Sequence, residues 1–234
     1  MESAVDNHNK INAAGFFFAL AFACREAWLY LCFYSQKIEG SISWSGELLD
    51  GGYLYSSIFF VAALFIATLF PAVVQKCLAK RLVLFGSIGL LTVTTAVLII
   101  SMASHGTLWI FETAGALSGI AMSVYSLYLA FAFVRIDLRT SVASVIGGQT
   151  LAPIIYNLFL ILPTTLFRTV TAVLPLLSLV ALLKGTKYAS FNLIAIPSRF
   201  IEATSDGAFK SRNVLRRYLE VSNEILPKAM GRLV

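Results

Sequence analysis

Residues 108–134 read LWIFETAGALSGIAMSVYSLYLAFAFV, with one charged side chain, Glu112, in the whole stretch. Lipid hydrocarbon about 30 Å thick is crossed by about 20 apolar residues in a helix, because every backbone N–H and C=O must there be paired within its own segment. Working outward from this run, five more of the same kind occur at 15–34, 52–75, 82–102, 140–163 and 165–184. The chain is 58% hydrophobic and 13% charged, against about 25% charged in an average soluble domain. An ordinary soluble enzyme is thereby excluded. The expected fold is all-α, a polytopic transmembrane six-helix bundle over 15–184, with an N-terminal tail at 1–14 and a basic segment at 185–234.

A cleaved leader is the rival reading of the first run. Glu2 and Asp6 precede it, and it exceeds the about 7–15 residues of a leader's apolar core, so it is read as a retained span. Lys and Arg stay cytoplasmic during insertion and so report orientation. Lys76, Lys80 and Arg81, then Arg135 and Arg139, then the tail fall on one side; only Lys37, with Arg168 at the membrane edge, falls on the other. The expectation is a plasma-membrane protein with both ends cytoplasmic. Trp28, Tyr30, Tyr34, Trp44 and Trp109 would form an outer aromatic belt. Cys24, Cys32, Cys77, His8 and His105 contain no CxxC pair and too few ligands for a metal cluster, so no metal, disulfide or cofactor is expected.

Three charges stand where lipid disfavours them. An ionised group at a helix centre costs about 2.5–3.5 kcal/mol on insertion scales, so Arg25 and Glu26 near the middle of the first span, and Glu112 one turn into the fourth, should face protein or water. Helical geometry sets Arg25 and Glu26 about 100° apart. The expectation is therefore that Arg25 reaches across to Glu112 and lines a polar cavity, the alternative being a purely structural bond from Arg25 to Glu26 or to a backbone carbonyl. Gly115 and Gly119 in the fourth span, and Ser144, Gly148 and Ala152 in the fifth, recur every four residues and let neighbouring backbones approach. Pro153 and Pro175 remove backbone donors and should kink or break the fifth and sixth spans.

Six spans, both ends inside and a basic connection between the second and third resemble one half of a major facilitator superfamily transporter. The connecting stretch, Ala72-Val73-Val74-Gln75-Lys76-Cys77-Leu78-Ala79-Lys80-Arg81, is similar to that family's GxLaDRxGRR loop at Lys80 and Arg81. It carries Lys76 at the aspartate position and alanine at both glycine positions. Gly148-Gln149-Thr150-Leu151-Ala152-Pro153 is similar to the family's GxxxGP in the fifth span, with Ala152 for the second glycine. Glu112 stands near the arginine of the family's RxxQG pattern, so proton coupling is not implied. The chain more loosely resembles membrane modules fused to LuxR-type regulators in some bacteria.

The resemblance implies a binding cavity between two six-helix halves, lined by the first and fourth spans of each. A lone half would turn Arg25 to lipid, so a second half is expected as partner, either another copy of this chain in a homodimer or a missing C-terminal half. The tail offers one amphipathic helix at 208–226, ended by Pro227, with Val214, Leu215, Tyr218, Leu219, Val221, Ile225 and Leu226 on one stripe. Docking onto protein suits its mixed polar face. Direct nucleic-acid binding is disfavoured, since a lone helix lacks the second helix and turn of a helix-turn-helix reader. No hydrolase, P-loop or channel-filter motif is present, so the chain is not expected to be an enzyme. Two readings remain: recognition of a small solute at a midplane cavity for transport or sensing, or the sensory module of a LuxR-type regulator truncated before its DNA-binding domain.

Overall fold

Apolar runs of this length satisfy their backbone only as helices, and they do so over nearly the whole described chain. The computed structural model describes residues 2–33, 45–103, 108–191 and 193, with side chains over 11–33, 53–101, 109–191 and 193. The chain divides into two units, Met1–Ile194 and Ala195–Val234, and all described residues belong to the first. The amphipathic helix expected at 208–226 lies outside the described residues, as do Lys37, Trp44 and His105 and the side chain of His8. Among the described residues there are seven helices and no strand: α1 Glu2–Phe33, α2 Ser45–Leu69, α3 Pro71–Leu78, α4 Arg81–Ala103, α5 Leu108–Val134, α6 Leu138–Leu160 and α7 Thr164–Tyr188. Residues 2–14, read above as a tail, continue the helix of the first span.

Five of these helices are long and apolar enough to cross a membrane, and the bent pair α2–α3 makes up to a sixth. The chain is an integral membrane protein. Exposure agrees: Ile146, Ile154 and Leu158 of α6, and Ile161 just after it, lie bare on the surface. Only 17% of the most apolar window of α6 is buried, against 61% for α1, so α6 is peripheral and α1 central.

The second span departs from its expected course. It was placed at 52–75, but α2 ends at Leu69 and the chain turns 108° into α3. The cause is local. Pro71, the first residue of α3, disfavours helical geometry at the residue before it, and Phe70 adopts φ −123°, ψ 56°. Neither Pro153 nor Pro175 breaks its span, since α6 and α7 are continuous through both. Pro153 lies exposed on α6, where Asn157 Nδ2 donates to its carbonyl at 2.8 Å, and Pro175 is buried within α7.

The heaviest packing joins α1 to α6 and α2 to α5; then come α1 with α7, α4 with α5, and α4 with α7. Lighter contacts join α1 to α2, α5 to α6 and α1 to α5. This neighbour set is unchanged when α1, α2 and α4 are exchanged for α5, α6 and α7. The bundle thus has the contact pattern of two equivalent three-span halves.

Small residues set both heavy contacts. A Cβ on Gly119 of α5 would overlap the Ser56 carbonyl oxygen of α2 and lie 3.0 Å from Phe60 N. On α6, a Cβ on Gly148 would lie 2.7 Å from Phe22 Cδ1 and 2.9 Å from Ala19 O. Ser144 Oγ donates to Gly15 O at 3.0 Å, and Ala152 is fully buried on the same face of α6. Gly115 is buried on α5, one turn before Gly119. At the end of the bundle that carries Lys80 and Arg81, the Tyr128 hydroxyl donates to Leu78 O at 2.7 Å and ties the α3–α4 turn to α5.

Trp28 corrects the aromatic-belt expectation. It is 1% exposed inside the bundle, where Nε1 donates to Thr95 Oγ1 of α4 at 2.9 Å. An indole is admitted to a core where its N–H finds an acceptor, and Thr95 supplies one. Trp109 is exposed. Cys24 and Cys32 are buried, Cys77 is exposed, and all three are free thiols.

Candidate functional site

Arg25 sits about 12 Å, or eight residues, below Phe33 at the end of α1. Its Nη1 donates to Glu26 Oε1 in an ion pair, and its Nη2 donates to Ser126 Oγ of α5 at 3.0 Å. The guanidinium carbon stands 5.8 Å from the centroid of the Phe22 ring. Nε is buried with no hydrogen-bond partner. Two charges of opposite sign at mid-span depth thus neutralise each other, which lowers the desolvation cost of each.

The expected Arg25–Glu112 pair does not form. Antiparallel packing sets Phe18 against Phe133 and Arg25 against Ser126. In that register Glu112, 14 residues before Ser126 and so about 21 Å along α5, is level with a position beyond Phe33. The sequence distances were measured from helix ends, and the ends of α1 and α5 are not level. Glu112 is half-buried and makes no ion pair with a described residue. Arg25 and Glu26, about 100° apart on the helix, meet because the long Arg side chain bends along the surface of α1.

The pair lines a cavity of about 260 Å³ between α1, α2 and α5, completed by Tyr53, Ser56, Ser57, Phe60 and Met122 among others. Its charged wall comes from α1; its hydroxyls come from α2. The Ser56 backbone touches Gly119, so the small residue on α5 determines how close the hydroxyl wall stands. Beneath Arg25 the core is closed by a polar chain in which Tyr125 and Ser178 share a 2.6 Å hydrogen bond and Ser178 Oγ lies 2.6 Å from Ala21 O. Ser56, Ser57 and Ser126 were not singled out from sequence. The signal was present, since Ser56-Ser57 interrupts an apolar run, but its depth relative to Arg25 is a property of packing.

A second, open cleft of about 630 Å³ lies between α1 and the start of α6, lined by Asn12, Asp137, Arg139, Thr140 and Ser144 among others. Asp137 is the N-cap of α6, accepting from the Thr140 N–H at 2.9 Å. Hydrogen bonds from the Thr140 side chain and backbone hold its carboxyl below the ordinary aspartate range. Asp137 is thus engaged in capping. Lys76 on α3, Lys80 in the turn after it and Arg81 at the start of α4 are exposed, away from the cavity lining. Among the described residues no three His, Cys, Asp or Glu side chains are grouped to hold a metal ion.

Compared with known proteins, the chain matches no family model, no curated protein and no solved structure.

Proposed function

We propose that this protein recognises a small polar solute in the Arg25–Glu26 cavity, as one six-helix half of a secondary-transporter-like assembly in the plasma membrane, with both ends cytoplasmic. The observation that carries the reading is a mutually neutralising pair at mid-span depth on the wall of a cavity about 260 Å³ in volume. A charged pair left beside open space within a membrane span is a ligand site by default. Support for the half-transporter arrangement comes from the neighbour pattern, in which the first three spans exchange with the last three. Inverted three-span repeats of that kind are nested within each half of major facilitator transporters.

A second copy in the same orientation completes the cavity and shelters it from lipid. The role in this reading is binding, with Arg25 and Glu26 engaged with each other until a solute enters. The test is flux of labelled amino acids and sugars into vesicles carrying the purified chain. Transport is expected, and its loss in Arg25→Ala; uptake unaffected by Arg25→Ala overturns the site. In the competing sensor reading, as the membrane module of a LuxR-type regulator, solute binds without flux and changes amide protection in the 185–234 segment.

A further inference from the structure

We propose that the solute of this cavity is a small zwitterion of the α-amino-acid type, whose carboxylate meets Arg25 and whose ammonium meets Glu26. The inference rests on the cavity reading above and names its ligand class. The charged wall sums to zero at a depth where a net charge is costly. A ligand carrying a single charge would draw one member of the pair to itself and leave the other uncompensated. A zwitterion exchanges one ion pair for two, with no change in net charge.

The donors and acceptors match the two ends of such a molecule. Nη1 of Arg25 donates to Glu26 and Nη2 to Ser126, and each nitrogen carries a second N–H, so the guanidinium has capacity for a carboxylate. Glu26 accepts from an ammonium, and the hydroxyls of Ser56, Ser57 and Tyr53 supply further acceptors around it. Leu29, Phe60 and Met122 leave the rest of the wall apolar, which suits an aliphatic side chain. A volume of about 260 Å³ is room for a single small molecule.

Three probes of equal heavy-atom count separate the charge classes: L-leucine, L-leucinamide with the carboxylate replaced by a neutral amide, and L-2-hydroxy-4-methylpentanoate with the ammonium replaced by a hydroxyl. Calorimetry on the detergent-solubilised full chain should show leucine binding about 100-fold more tightly than either derivative. In Glu26→Gln the order should invert, the hydroxy acid binding at least as well as leucine. In Arg25→Gln leucinamide should gain in the same way. A merely structural pair would give a weaker protein with no such switch of ligand charge. Should Arg25→Gln fail to fold, Glu26→Gln alone decides. Equal binding of all three probes, binding of none, or an unchanged order in Glu26→Gln overturns the zwitterion. The cavity reading fails separately, if leucine binding survives the cavity-filling Ser57→Phe. It survives the loss of the zwitterion if flux of another solute is still abolished by Arg25→Ala.

Discussion

The α2–α5 and α1–α6 contacts both join one three-span half to the other and change places when the halves are exchanged, yet they are tightened differently. Gly119 faces bare backbone at Ser56 and Phe60, which has no rotamer to move. Gly148 meets the Phe22 ring and one carbonyl, and Gly15, on the opposite helix of that contact, meets the Thr140 methyl at 2.8 Å. Side chains can turn; backbone cannot without moving a helix. The unyielding contact is the one behind the cavity, since Ser56 belongs to the cavity wall and Gly119 fixes its distance from α5. Symmetry of neighbours therefore coexists with a division of labour, one heavy contact shaping the site and the other holding α6 to the core.

Substitutions along the two contacts sharpen or break this contrast. Gly119→Ala should cost the most, about 3 kcal/mol or more in unfolding from detergent, at or above the top of the usual range for overpacking. It should also weaken solute binding by moving the Ser56 wall. Gly148→Ala should cost less, about 1–2 kcal/mol, because the Phe22 ring can turn and the Ala19 carbonyl, at 2.9 Å, need give only slightly. A larger loss for Gly148→Ala than for Gly119→Ala would refute the distinction. Ser144→Ala removes the α6 hydroxyl bonded to Gly15 O and should cost about 0.6 kcal/mol, the average for interhelical hydrogen bonds in membranes. Gly86→Ala in α4 meets nothing within 4 Å, so it should be neutral or stabilising by up to about 1 kcal/mol.

What could be read from the chain follows the range of the physics. Helix existence depends on local composition, and the runs at 82–102, 108–134 and 165–184 lie within a few residues of α4, α5 and α7. The bend at Phe70 was also written locally, in Phe70-Pro71, but continuous hydropathy across 52–75 masked it. Pro153 and Pro175 show the converse, that a proline inside a span breaks nothing when neighbouring groups and the remaining ladder hold the helix. The partner of Arg25 was not legible. It depends on the antiparallel register of α1 against α5, which Phe18, Phe133 and the unequal helix ends set together. Ser126 differs from other serines in apolar helices only by its depth.

Tyr128 gives the bundle a mechanical property. Its hydroxyl grips the carbonyl of Leu78, while Ser126, two residues earlier on α5, holds Arg25. A helix is stiff over so short a length, so any tilt of α5 that accompanies opening of the Arg25–Ser126 contact swings the basic Lys80–Arg81 corner in the same stroke. One short stretch of α5 thus carries both the mid-span contact to Arg25 and the bond that fixes the charged corner.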